Sequence, residues 1–141
     1  MGIAADAKLI AWSDHYSVGI HRIDAQHRTL VELINELHAA VVAGDGNEAL
    51  AQMLEGVAAH VASHFATEET LMKKFDYPGY GWHKAEHERL MAHVKLAQEK
   101  TRANQTAFTP EVMTYLHRWL LGHIVNVDKR YTAHLKAAGV M

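Results

Sequence analysis

The chain of 141 residues contains no cysteine, only two prolines and no excess of positive charge. Without cysteine it cannot form disulfide bonds, thiolate metal sites or cysteine-bound iron–sulfur clusters. A formal net charge of −2 offers no basic surface for nucleic acid. No apolar run reaches the roughly 18 residues of a membrane span, and the first residues lack the layout of a secretory signal. We therefore expect a cytoplasmic protein, monomeric by default, with neither nucleic acid nor a membrane as a partner.

Proline is scarce, and most glycines lie outside four long stretches in which apolar residues recur with the period of an amphipathic helix. The predicted helices cover residues 23–43, 47–74, 81–103 and 110–138. Asp24 is the expected cap of the first helix, and Asp45 followed by Glu48 fits a capping-box-like start of the second. Thr109 before Pro110 is a strong start signal for the fourth helix.

These stretches predict an all-α protein, because strand-like alternation is absent from the sequence. Short loops place successive helices side by side in opposite directions, which gives an antiparallel up-down-up-down four-helix bundle. We expect one domain over residues 1–141. Within it, residues 1–22 form an N-terminal extended arm that packs across the bundle of residues 23–138.

Histidine is unusually abundant, with twelve residues, and their positions are more informative than their number. His64 and Glu68 lie four residues apart and share one helix face, and His83 and His87 do the same. The up-down topology brings the start of the first helix, the end of the second, the start of the third and the later part of the fourth to one end of the bundle. The residues expected to converge there are His27, His64, Glu68, His83, His87, His123 and Asp128.

Burial of five imidazoles and two carboxylates without partners would be prohibitively costly, and bound metal ions would remove that cost. Helical bundles build two-metal sites from facing helices. Five histidines, two bridging carboxylates and one bridging oxo or hydroxo group fill all but one coordination position of two octahedral ions. A vacant position in an apolar pocket suits a small ligand such as O₂. Imidazole and carboxylate ligands without thiolate favour iron or manganese, although zinc also binds such groups.

Two details of this pattern stay open. His60 lies four residues before His64 on the same stripe, so that it could replace His64 or serve as a buried neighbour. His123 and Asp128 are five residues apart, which separates them by about 140° on an ideal α-helix. Either His123 is a terminal ligand while Asp128 bridges from a flank, or a local π-type widening brings the two into line.

The sequence resembles the hemerythrin family, in particular the single-domain bacterial hemerythrins. The segments SVGIHRIDAQHRTL, HFATEETLM, HKAEH and WLLGHIVNVDKRY carry the resemblance, which covers residues 12–131. It implies a four-helix bundle with two non-heme iron ions, a bridging oxo or hydroxo group and no heme. By this resemblance the coordinatively full iron would be held by His83, His87 and His123. The iron with the open position would be held by His27 and His64, and Glu68 and Asp128 would bridge the two ions.

The resemblance and the helical spacing together suggest an apolar pocket at the open position and one supporting hydrogen bond. The expected pocket residues are Leu30, Phe65, Trp119, Leu120 and Ile124. Tyr131, one turn after Asp128, is expected to hydrogen-bond the carboxylate or a ligating histidine. O₂ is the implied ligand, and small anions such as azide could occupy the same open position.

Three functions are compatible with such a site. The first is reversible O₂ binding by a carrier, storage or delivery protein, and we favour it. The second is sensing of O₂, redox state or iron through a separate partner. The third is a di-iron oxidase, peroxidase or ferroxidase. Bundle enzymes of that kind typically use about four carboxylates and two histidines, so a site of five histidines and two carboxylates argues against an enzyme. A zinc or purely structural site is the most distant alternative.

Overall fold

The computed structural model of the protein describes residues 11–103, 118–119 and 122–141. Three long helices lie within residues 11–103: α1 spans His21–Val42, α2 spans Asn47–Lys74 and α3 spans Tyr80–Arg102. The last helical stretch, which we call α4, is a π-helix at His123–Val127, a 3-10 helix at Asp128–Tyr131 and an α-helix at Thr132–Ala137. The described residues contain no strand, and the four helices form the predicted bundle. The predicted start of the fourth helix at Thr109 and Pro110 lies outside the described residues.

The N-terminal caps differ from the prediction. Helix α1 begins at His21, so Asp24 lies within its first turn and does not cap it. The Asp24 carboxylate instead accepts hydrogen bonds from the Ser17 hydroxyl at 2.5 Å and the Val18 amide at 2.8 Å. Helix α2 follows Gly46 without a side-chain cap, so the predicted capping box of Asp45 and Glu48 is also wrong. Asp24 therefore fixes the entering chain, an alternative use of a short acidic side chain near a turn.

The described part of the arm, residues 11–20, is ordered by contacts with the bundle. It contains one 3-10 turn at Asp14–Tyr16. The Lys129 ammonium donates to the carbonyl of His15 at 2.6 Å, and the Thr132 hydroxyl donates to the carbonyl of Val18 at 3.0 Å. These two hydrogen bonds attach the arm to α4.

The described residues form two buried apolar clusters. The larger one follows the helical stripes of α1, α2 and α3, with Leu30, Phe65 and Leu90 among its members, and includes Ile124 of α4. The smaller one closes the end of the bundle beneath the arm. Its buried members are Val18, Ile20, Ile23, Met72, Tyr131 and Leu135. None of the described helices combines the length and the apolarity that a bilayer crossing requires.

Candidate metal centre

A polar layer separates the two apolar clusters. On α1, His27 lies between a residue of the smaller cluster and one of the larger cluster, and Glu68 on α2 and Asp128 on α4 hold equivalent positions. All seven residues that the sequence analysis brought together are buried, and the most exposed of them, His123, is 5% exposed. The layer consists of His27, His64, Glu68, His83, His87, His123 and Asp128.

The ligand-type atoms of this layer form two overlapping groups, and within each group they lie within 4.8 Å of one another. Both groups contain the two carboxylates, Glu68 and Asp128. The first group adds His83, His87 and His123, whereas the second adds His27 and His64. The geometry thus places three imidazoles on one side of the carboxylate pair and two on the other, the division that the sequence analysis proposed.

The carboxylate of Asp128 is surrounded by three imidazoles. Its oxygens lie 2.9 Å from Nε2 of His27, 3.0 Å from Nε2 of His83 and 2.9 Å from Nε2 of His123. Glu68 is surrounded in the same way by three imidazoles. Its oxygens lie 2.9 Å from Nε2 of His64, 3.4 Å from Nε2 of His87 and 3.9 Å from Nε2 of His83.

These short distances do not correspond to hydrogen bonds. Nε2 of all five histidines, both oxygens of Asp128 and Oε1 of Glu68 are buried without a hydrogen-bond partner. Such groups are costly to bury unless something else satisfies them. Within each of the two groups these atoms lie close enough together to share a cation. The layer therefore has the form of a site for cations, with imidazole and carboxylate donors that suit iron, manganese or zinc.

The spacing of His123 and Asp128 is explained by the π-helix that contains them. The amide of Asp128 donates to the carbonyl of His123, five residues earlier, as well as to that of Ile124, and the bond five residues apart is the mark of a π-helical turn. This turn brings Nε2 of His123 to 2.9 Å from Oδ1 of Asp128. Of the two explanations left open by the sequence, the local π-type widening is present, so both side chains face the interior.

Electrostatics in the layer favour ionised carboxylates. Burial and repulsion from Asp128 act to raise the pKa of Glu68, but attraction to His64 and close contact with His64 and His87 outweigh them and lower it to about 2. The pKa of Asp128 is also lowered well below its usual range, because His123, His27 and His83 outweigh its burial. Burial acts to lower the pKa of His123, but Asp128 and Glu68 raise it overall. The protein thus holds two buried negative charges where cations would bind.

Tyr131 makes the supporting contact that its position suggested. Its hydroxyl donates to Oε2 of Glu68 at 2.6 Å, and its ring stacks on His83 with centroids 5.5 Å apart. Burial and the nearby Glu68 carboxylate raise the pKa of Tyr131 well above 10. The phenol therefore remains a hydrogen-bond donor and fixes one oxygen of the carboxylate.

His60 is held away from the layer. Its Nε2 lies 2.8 Å from the main-chain carbonyl oxygen of Gln26, and because a carbonyl only accepts, this nitrogen carries the hydrogen. The His60 ring is parallel to that of His64 at a centroid distance of 6.4 Å. His60 is consequently a neighbour of the site, and His64 is the residue that reaches it.

The expected pocket residues lie beside the layer, with one exception. Phe65 stacks on His87 at a centroid distance of 3.6 Å, and Trp119 stacks on His123 at 4.9 Å. Leu30 and Ile124 are buried in the same cluster, while Leu120 lies outside the described residues. An apolar cavity of about 20 Å³, roughly the size of one water molecule, borders Leu30 and Trp119. The surroundings of the layer are therefore apolar on the side of the larger cluster.

Among the described residues, two polar side chains that contact the layer were not predicted from the sequence. Gln26 accepts a hydrogen bond from Nδ1 of His64 at 2.6 Å, and Glu69 accepts one from Nδ1 of His87 at 2.9 Å. Each adjoins a predicted ligand in the sequence, and that adjacency is the only signal they give. On a helix, neighbouring residues point about 100° apart, so adjacency alone does not reveal a contact with another helix.

The fold and the layer together define a class of protein: a four-helix bundle whose interior contains a cluster of histidines and carboxylates that could hold metal ions. The sequence matches the family described as Hemerythrin HHE cation binding domain over residues 18–135. The chain therefore belongs to the hemerythrin family.

Similar proteins agree with this assignment. The chain is 35% identical to a bacteriohemerythrin of Stenotrophomonas maltophilia, across 92% of this chain and 83% of that protein. It is 31% identical to a bacteriohemerythrin of Methylococcus capsulatus, across 92% of this chain and 98% of that protein. A crystal structure of wild-type hemerythrin superposes with a TM-score of 0.85 at 30% identity, covering 90% of this chain and 98% of that one. The buried layer of histidines and carboxylates fits the di-iron, O₂-binding centre of this family.

Proposed function

We propose that the protein binds O₂ reversibly at two non-heme iron ions in the buried layer and is not an enzyme. His83, His87 and His123 would hold one iron. His27 and His64 would hold the other iron, which keeps an open position. Glu68 and Asp128 belong to both groups of ligand atoms and would bridge. An oxo or hydroxo group would complete the bridge, and small anions such as azide would compete with O₂.

The observation that carries this proposal is the set of buried lone pairs without hydrogen-bond partners. Five imidazole nitrogens and three carboxylate oxygens converge in one buried layer and have no hydrogen-bond partner there. Removal of two metal ions would leave the cost of burying these groups uncompensated. A purely structural layer of polar side chains would instead be internally hydrogen-bonded.

The composition of the layer favours binding over catalysis. Di-iron enzymes built on bundles typically use about four carboxylates and two histidines. Here five histidines accompany two carboxylates, so the ligands supply less negative charge to stabilise highly oxidised iron. Bound iron would supply the electrons that O₂ accepts reversibly. The chain itself would orient the carboxylate through Tyr131 and exclude water through Phe65 and Ile124.

The test combines metal analysis with absorption spectroscopy. The loaded protein should contain two iron ions per chain and be nearly colourless when reduced. It should gain a visible absorption band in air and lose that band under vacuum. An iron content well below two per chain, or irreversible bleaching on first exposure to O₂, would contradict reversible binding. Rapid turnover of peroxide or of ferrous iron would instead support an oxidase, peroxidase or ferroxidase.

A further inference from the structure

In two of the predicted ligand rings the Nδ1 nitrogen faces a hydrogen-bond acceptor, and the two acceptors differ in charge. Nδ1 of His64 faces the amide oxygen of Gln26 at 2.6 Å, whereas Nδ1 of His87 faces the carboxylate of Glu69 at 2.9 Å. Nδ1 of His27 and Nδ1 of His83 are buried without a partner. Each of the two ligand groups therefore contains a ring whose Nδ1 faces an acceptor, a neutral amide in one group and a carboxylate in the other.

A short hydrogen-bond chain fixes the orientation of the Gln26 amide. The Thr67 hydroxyl donates to the carbonyl of Ser63 at 3.1 Å, so its lone pairs are available to the Gln26 Nε2 group at 3.2 Å. The amide oxygen of Gln26 must then face His64. A ring nitrogen that points at this oxygen carries the hydrogen, which leaves the Nε2 lone pair of His64 free for a metal ion.

Glu69 imposes the same tautomer on His87, but with a negative charge. A carboxylate accepts hydrogen bonds and cannot donate them, so Nδ1 of His87 carries the hydrogen. The Glu69 side chain is 23% exposed, while the His87 ring is buried. Glu69 thus lies where the layer meets a surface groove between α2 and α3, which Phe65 and Met91 also line.

We propose that Glu69 and Gln26 are positioning residues that make the two metal positions electrostatically unequal. Glu69 aligns His87 and makes it the more electron-rich ligand, so the position with three histidines holds a cation more tightly. Gln26 aligns His64 without adding charge, so the position with two histidines holds its cation less tightly. Groups that hydrogen-bond a ligating histidine orient it and raise its basicity in this way. This inference deepens the proposed function and rests on the same site.

The test uses zinc, which binds histidine and carboxylate but has no redox chemistry. Competition with a chelator should resolve two zinc dissociation constants in the natural protein. Glu69→Gln keeps the shape of the side chain and removes its charge, and it should weaken one constant by about 10- to 100-fold. Gln26→Glu should tighten the other constant. Circular dichroism establishes that each variant is folded.

Glu88→Gln is the matched control. Glu88 lines the same groove, is exposed and makes no hydrogen bond to a ring nitrogen. Its substitution removes an equal charge from nearly the same place and should leave both zinc constants within about threefold, since exposed charges are strongly screened. Equal effects of Glu69→Gln and Glu88→Gln, or no effect of either, would overturn the proposal.

The NMR signals of the ring Nδ1 groups distinguish a positioning role of Glu69 and Gln26 from a general effect on the stability of the protein. In the zinc-loaded, nitrogen-15-labelled protein, the Nδ1 nitrogens of both His64 and His87 should be protonated. The Nδ1 proton of His87 should resonate further downfield, and Glu69→Gln should move that resonance upfield while Glu88→Gln leaves it in place. An unprotonated Nδ1 of His87 would refute the role of Glu69. Because zinc binds no O₂, these results stand or fall separately from the O₂-binding function.

Discussion

The hydrogen bond from Tyr131 to Glu68 offers a sharp test of how the buried layer is held. Tyr131→Phe removes a single hydroxyl from a ring that is 0% exposed and leaves its stacking on His83 in place. The lost hydrogen bond, 2.6 Å long, connects a phenol to a buried carboxylate. The carboxylate oxygen then loses a donor in a place that water does not reach.

The size of the effect follows from the charge and burial of that pair. Hydrogen bonds to charged groups contribute about 1.5–3 kcal/mol, compared with about 1 kcal/mol for neutral pairs. We therefore expect Tyr131→Phe to lower the free energy of unfolding of the metal-free protein by about 2 kcal/mol. With a urea dependence of about 2 kcal/mol/M, the unfolding midpoint should fall by roughly 1 M.

Urea unfolding of the metal-free protein, followed by circular dichroism, measures this difference. Tyr77→Phe is the control, because Tyr77 packs edge-on against Tyr131 at 6.5 Å and is itself only partly buried. Its hydroxyl forms no hydrogen bond with the described residues, so its removal should change the free energy by less than about 0.5 kcal/mol. Equal midpoints for Tyr131→Phe and the natural protein would show that the hydroxyl does not stabilise the buried carboxylate.

Further predictions concern the ligands, the pocket, acid and metal removal. His64→Ala should abolish the absorption band that appears in air, whereas His60→Ala should retain it, because only His64 reaches the carboxylates. Phe65→Ala should lower the free energy of unfolding by about 3–5 kcal/mol, since it empties space beside His87. The pKa of Glu68 is lowered from 4.5 to about 2, so the stability from its ionised form is present above pH 4.5. That contribution should be lost as the pH falls from 4.5 towards 2 in acid titrations of the metal-free protein. Chelation of iron should lower the melting temperature, measured by calorimetry, because the buried carboxylates lose their counter-charge.

Each of these predictions has a clear contrary outcome. A band that survives in His64→Ala and is lost in His60→Ala would reverse the ligand assignment. If Phe65→Ala left the free energy of unfolding nearly unchanged, the neighbouring side chains would have to fill the vacated space beside His87 without leaving a cavity. Stability unchanged between pH 4.5 and 2 would show that Glu68 is not preferentially ionised in the folded state. An unaltered melting temperature after chelation would contradict burial of the ions in the layer.

The helical architecture could be read from the sequence, because apolar periodicity reports directly on which face of a helix is buried. Helix α2 has the predicted bounds, and α1 begins two residues before the predicted Ile23. The caps could not be predicted as well. The side chain of Asp24 can serve equally well as a helix cap or as an acceptor for the preceding chain. The position of the arm, whose Val18 amide donates to Asp24, selects the second role.

The layer was predictable because its members are chemically costly to bury and their levels along the bundle agree. The hydrogen bonds that Gln26 and Glu69 accept from His64 and His87 were not predictable in the same way. Whether Glu69 reaches His87 depends on the rotation of α2 against α3, which is set by packing of the whole interface. The choice between two geometries for His123 and Asp128 likewise depended on the backbone itself.

The π-helix at His123–Val127 also determines how the following residues of α4 are rotated about the helix axis. A π-turn is equivalent to one extra residue inserted into an α-helix. If the same residues formed an ordinary α-helix, the extra residue would no longer be absorbed, and the two flanks would be rotated relative to each other by about 100°. The rotation that carried Asp128 out of the layer would also misplace Thr132, whose hydroxyl holds the arm. Loss of the π-turn at unchanged chain length would thus dismantle the centre and detach the arm together, whereas deletion of one residue within the turn would leave both flanks nearly in phase.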